Sequence, residues 1–134
     1  TWRPDKAMAC EDVESLNKWI DELGRITDMD VSGMSTFMLA LDKRHEYFHE
    51  NGCRLSDHGL ETAYALDYTP SEIEKIFARI RRGETLDDLE ILKFRSAMIY
   101  ELGVLNSKRG WVQQMHFGPI RNNNTRLFRK LTNA

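Results

Sequence analysis

A chain of 134 residues that is 41% hydrophobic and 30% charged has enough apolar material to bury a core and too much to stay disordered. Its 19 basic and 21 acidic side chains leave a net charge of -2, which gives no global attraction to nucleic acid or an anionic membrane. Cys10 and Cys53 are far apart with no CxxC spacing, which argues against a zinc ribbon or thioredoxin-type site and for reduced thiols in a cytoplasm; no apolar run approaches the ~20 residues of a membrane span.

The chain opens Thr1-Trp2-Arg3-Pro4-Asp5 with neither an initiator methionine nor a signal segment, as expected of a stretch entered partway through a longer protein. From Glu11 to Leu23, Val13, Leu16, Trp19, Ile20 and Leu23 recur at three- and four-residue steps, which predicts an amphipathic helix stopped by Gly24. A second helix is predicted from about Ser35 to Asn51, with Phe37, Met38, Leu41, Arg44, His45 and Phe48 along one side and Gly52 at its end. Thr69-Pro70-Ser71-Glu72 has the order of a capping box and opens a third, which buries Ile73, Ile76, Phe77 and Ile80 and ends at Gly83. A fourth opens at Thr85, with Asp87 and Asp88 complementing its dipole, and runs through Leu89, Leu92, Ile99 and Leu102 toward Gly110.

Two segments resist a helical reading, Gly52-Cys53-Arg54-Leu55-Ser56-Asp57-His58-Gly59 and Gly110-Trp111-Val112-Gln113-Gln114-Met115-His116-Phe117-Gly118. Each runs from a helix-ending glycine through a strand-length stretch to a histidine, forming a weak internal repeat. Helix, glycine, short strand and polar strand end make the unit of a parallel α/β sheet, whose strand C-termini form the site face. The histidines are separated by about twice the ~30 residues of a minimal βαβ unit, so each crossover should hold two helices. Arg3 falls where the preceding strand would end. The expected architecture is a helix-rich α/β unit with two to three short parallel strands, too few to close a barrel of eight.

His45-Glu46-Tyr47-Phe48-His49 matches H-E-x-x-H on a helix, the pattern of a zinc peptidase, with Glu61 or Glu72 available as a third ligand. A charged amphipathic helix produces that pattern readily by chance, and Glu72 is better explained by its cap. His58 and His116, at equivalent strand ends, are stronger candidates for proton transfer or substrate contact. Arg3, Arg121 and Arg126 place guanidinium groups near strand ends, where a planar fork suits a carboxylate. Arg129 and Lys130 read as solvated surface, and without interleaved aromatics the cluster is a poor RNA site.

Taken together, Thr1-Trp2-Arg3-Pro4-Asp5-Lys6, the segment ending Ser56-Asp57-His58-Gly59, the segment Gly110 to Gly118 and Arg121-Asn122-Asn123-Asn124-Thr125-Arg126 resemble the uronate isomerase family over nearly the whole chain. The resemblance implies that residues 1–134 form a single unit inside a larger (β/α)8 TIM barrel of the amidohydrolase superfamily, from about the end of strand four to the loop after strand six. It implies an isomerase of D-glucuronate and D-galacturonate that moves a proton between C2 and C1 through an enediolate. Arg3 then matches the group that holds the substrate carboxylate, His116 the catalytic histidine, and His58 and Arg121 substrate-lining positions. A divalent metal, zinc, is implied for the whole enzyme, but the family's His-x-His pair and late aspartate do not occur here. The stretch alone is therefore expected to be inactive, to hold no metal tightly and to self-associate through uncovered edges. The alternatives are the metallopeptidase using His45, Glu46 and His49, and a non-catalytic helical binding domain.

Overall fold

Backbone chemistry at the helix ends sets the order of elements. In the computed structural model, which describes residues 1–118 and 124–132, a 3-10 turn at Asp5–Met8 precedes α1 (Val13–Thr27) and α2 (Met34–Glu50). There follow β1 (Leu55–Leu60), α3 (Pro70–Arg81), α4 (Asp88–Lys108), β2 (Val112–Phe117) and α5 (Thr125–Thr132). Asp12 caps α1 by accepting from the Ser15 N–H at 3.0 Å. Thr69 and Glu72 close the expected reciprocal box on α3, and Asp87 with Glu90 makes a second on α4. Each box satisfies two backbone donors that a helix start would otherwise leave orphaned.

Two boundaries differ from expectation. Helix α4 starts at Asp88 rather than Thr85, because Asp87 is the residue whose side chain caps it. Helix α1 runs through Gly24 to Thr27. Gly24 is a close-approach site, since a Cβ there would sit 2.8 Å from the Met29 carbonyl oxygen. The helix ends where Asp28 turns left-handed at φ 52°.

The strands β1 and β2 pair in parallel from Leu55↔Val112 to Leu60↔Phe117. Trp2 adds a parallel bridge to Ser56 on the other side of β1, donating its N–H to Leu55 O at 3.2 Å while the Asp57 N–H donates to Trp2 O at 2.9 Å. Three parallel segments thus lie side by side, and two helices occupy each crossover, as the spacing predicted. Helices cover one face of this sheet. Phe37 of α2 stacks on Phe77 of α3 at 5.1 Å between centroids, and Phe77 on Phe94 of α4 at 6.4 Å. Trp2 and Trp111 seal the strand starts against His45.

The α3 cap gives a pH signature. Hydrogen bonding from Lys93, then from the Thr69 N–H and hydroxyl, lowers the Glu72 carboxyl from an ordinary 4.5 to about 2. A lowered folded-state pKa contributes stability that is present above the unfolded value and disappears as pH falls through the folded one. The melting temperature of the parent should exceed that of Glu72→Gln at neutral pH, and the gap should close between about 4.5 and about 2.

Candidate active site

Side chains alternate across a strand, so register decides which face each residue reaches. Trp2, Ser56, His58 and Leu60 turn toward the helices and are buried. Arg3, Asp57, Gln114 and His116 occupy the opposite, uncovered face, because Asp57 pairs with Gln114 and Gly59 with His116. On that face Arg3 Nε lies 3.3 Å from Asp57 Oδ2 and His116 Nδ1 lies 2.6 Å from Asp57 Oδ1. The Gln114 amide donates to His116 Nε2 at 3.2 Å, leaving the imidazole proton on Nδ1, toward Asp57. Arg3 and His116 are about half exposed, whereas Asp57 is 15% exposed between them. The result is a guanidinium and an imidazole tied to one carboxylate at the strand C-termini.

The equivalence of the two histidines does not extend to their side chains. The register places Gly59, not His58, beside His116, so the sequence repeat is out of step with the sheet by one residue and the rings emerge on opposite faces. His58 is 0% exposed and shares no pocket with His116. Its Nε2 lies 2.8 Å from Ser56 Oγ. Asn106 donates its amide to the same oxygen at 2.8 Å and presents Oδ1 to His45 Nε2 at 3.0 Å. Ser56 is fully buried, so its hydroxyl hydrogen needs an acceptor, and His58 Nε2 fills that role. The His58 proton then sits on Nδ1, which faces Asp5 Oδ1 at 3.5 Å.

That arrangement overturns the metallopeptidase alternative. His45 is a core residue, 0% exposed, stacked on Trp111 at 3.8 Å between ring centroids and tied to Asn106. Burial lowers its pKa, against the opposing hydrogen bond it donates to Asn106 Oδ1. His49 Nδ1 accepts the Trp111 indole N–H at 2.9 Å, and Glu46 points outward to solvent. Among the described residues no group of three or more His, Cys, Asp or Glu is placed to hold a metal ion. Asp57 and His116 alone do not make a metal site.

An open cleft of about 620 Å³ adjoins the strand ends, lined by Asp5, Leu60, Tyr64, Arg95 and Gly118 among others. Its Arg95 already pairs with Glu11 at 2.6 Å and Glu61 at 3.7 Å, and Lys6 is the other cation of its lining. Arg121 lies outside the described residues; Arg126, Arg129 and Lys130 are exposed on α5. Asp57 is the candidate site residue that sequence reasoning missed; its place beside Arg3 follows from the Trp2–Ser56 bridge, which motif spacing does not encode.

A parallel helix-covered sheet with ionisable groups gathered at its strand C-termini defines a stretch of an α/β enzyme. The family model for glucuronate isomerase matches residues 1–134. A uronate isomerase of Cellvibrio japonicus is 57% identical and one of Bacteroides fragilis 50% identical, each over 98% of this chain. Among solved structures, the uronate isomerase of Thermotoga maritima superposes with a TM-score of 0.85 at 32% identity, covering 98% of this chain and 29% of that one. The glucuronate isomerase of Caulobacter crescentus gives 0.77 at 27% identity, covering 96% of this chain and 26% of that one. The chain belongs to the glucuronate isomerase family, and it spans 28% of the length of those curated relatives.

Asn106 joins two buried partners, so Asn106→Leu should cost roughly 2–4 kcal/mol by leaving Ser56 and His45 incompletely paired. Denaturant unfolding would show this as a lowered midpoint at unchanged slope.

Proposed function

We propose that these residues form one wall of the active site of a uronate isomerase built on a (β/α)8 barrel of the amidohydrolase superfamily. The enzyme interconverts D-glucuronate with D-fructuronate and D-galacturonate with D-tagaturonate, in the cytoplasm, as part of glucuronate catabolism. The observation that supports this most is the convergence of Arg3, Asp57 and His116 on one sheet face. Arg3 presents a guanidinium fork suited to the substrate's remote carboxylate, and anchoring that end orients C1 and C2. Isomerisation removes a proton from C2 and delivers one to C1, while the carbonyl passes from C1 to C2. The enediolate between them concentrates negative charge on its oxygens. His116, its Nδ1–H held toward Asp57, offers its Nε2 lone pair as a proton acceptor once substrate displaces the Gln114 amide, with Asp57 holding the ring in orientation and tautomer. His58, on the buried face, supports the site rather than touching substrate, and Arg121 remains a proposed second substrate contact. The divalent metal of the whole enzyme, zinc, takes its ligands from outside these residues.

In a full-length uronate isomerase carrying these residues, His116→Asn should lower kcat by about a hundredfold or more on both uronates with the melting temperature preserved. Arg3→Met should act mainly on KM, raising it about tenfold or more. Normal turnover by the His116 variant would remove that residue from the mechanism. The 134 residues alone should show no turnover. They should also sediment as more than a monomer, because Val112, Met115 and Phe117 are 65%, 43% and 52% exposed along the free edge of β2.

A further inference from the structure

The guanidinium of Arg3 has a second carboxylate partner that the isomerisation does not need. Its Nη2 donates to Asp5 Oδ2 at 3.3 Å, on the same edge of the guanidinium as the Nε that faces Asp57. Asp5 is not a loose surface acid. It opens the 3-10 turn that follows Pro4, and its Oδ2 also accepts the backbone N–H of Gly59 at 3.3 Å. Its Oδ1 is buried and faces His58 Nδ1 at 3.5 Å. Burial pushes the Asp5 carboxyl up, but contact with His58, the Gly59 N–H and the charge of Arg3 outweighs it and holds the carboxyl below its ordinary value.

We propose that Asp5 is a positioning residue that fixes the Arg3 fork for the substrate carboxylate, and that His58 is the buried anchor holding Asp5 in place. His58 is itself held from behind by Ser56 and Asn106, so the anchor is continuous with the helix layer. An arginine side chain has many rotamers, and a half-exposed one on a bare sheet face would sample them. Asp57 at its Nε and Asp5 at its Nη2 fix the plane of the guanidinium, and among the described residues no carboxylate pairs with Nη1. Asp5 also carries negative charge, which by itself would weaken binding of an anionic substrate. The positioning role and the charge effect therefore predict opposite changes when Asp5 is removed.

The proposal rests on the reading of Arg3 as the carboxylate-binding group, and the test separates the two. In a full-length uronate isomerase carrying these residues, Asp5→Ala should raise KM for glucuronate about fivefold with kcat within about twofold, as a long side chain regains rotamer freedom. In an Arg3→Met background the same change should leave KM where Arg3→Met put it. His58→Asn keeps a nitrogen at the Nδ1 position and should retain the parent KM, whereas His58→Gln keeps one only at the Nε2 position and should match Asp5→Ala. A purely structural role would lower the melting temperature of both His58 variants and separate neither in KM. An unchanged or lowered KM for Asp5→Ala, or an equal KM for the two His58 variants, overturns the positioning role. So does an Asp5→Ala effect that persists in full after Arg3→Met has itself raised KM. An unchanged KM for Arg3→Met overturns the carboxylate assignment of Arg3 and this proposal with it.

Discussion

The register of two short parallel strands governs everything else in the molecule. Pairing Gly59 with His116 places Ser56, His58 and Leu60 under the helices and leaves Asp57 and His116 in the open. A slip by one residue would exchange the two sets, burying a carboxylate and uncovering Leu60, which is now 3% exposed. What prevents the slip is apolar packing at the strand starts: Trp2 and Trp111, each 6% exposed, lock against the ring of His45. The position of a candidate catalytic group at one end of the sheet is thus set by indole packing at the other.

Polar groups at a helix–sheet interface cost stability unless each finds a partner. Here the donors run in one direction, from His45 to Asn106, from Asn106 to Ser56, and from Ser56 to His58. The last ring nitrogen in that sequence faces the Asp5 carboxylate at 3.5 Å. The order matters because a single reversed donor would leave two hydrogens or two lone pairs opposed in a buried space. The arrangement also carries a pH dependence. Because burial lowers the His45 pKa from 6.5, the unfolded chain binds a proton below that pH which the folded chain refuses, so stability is full above about 6.5 and falls on acidification.

Much of this was legible in the sequence because it depends on local chemistry. Thr69-Pro70-Ser71-Glu72 specifies its cap without tertiary help, and Gly52 and Gly110 end their helices with φ of 85° and 66°, a conformation that glycine adopts without strain. The paired crossover helices followed from spacing alone. The misses share one cause. Gly24 reads as a stop in the sequence because glycine usually is one, whereas here it admits the Met29 carbonyl, a contact invisible from within the helix. The histidine repeat implies structural equivalence, yet equivalence across a sheet is set by strand pairing, which a motif spacing does not encode. Asp57 was overlooked beside a more conspicuous histidine for the same reason. His45, Glu46 and His49 satisfied a pattern whose meaning depends on what surrounds each ring, and Asn106 and Trp111 are remote in sequence.

Adjacent residues on one strand end therefore face opposite ways, Asp57 on the open face and His58 toward the scaffold, and under the proposed function strand alternation gives them opposite duties. The same geometry exposes a deficit of positive charge. Arg3 is shared by Asp5 and Asp57, so under the proposed function a uronate carboxylate approaching this wall would meet one guanidinium and two acids, and the enediolate would add further negative charge beside His116. One cation cannot balance three carboxylates at close range in a site that excludes water. The remaining positive charge has to come from outside this face, on residues or ions contributed by the walls opposite. On this account the stretch orients substrate and tunes a proton-bearing imidazole, while the larger share of anion stabilisation belongs to the rest of the enzyme.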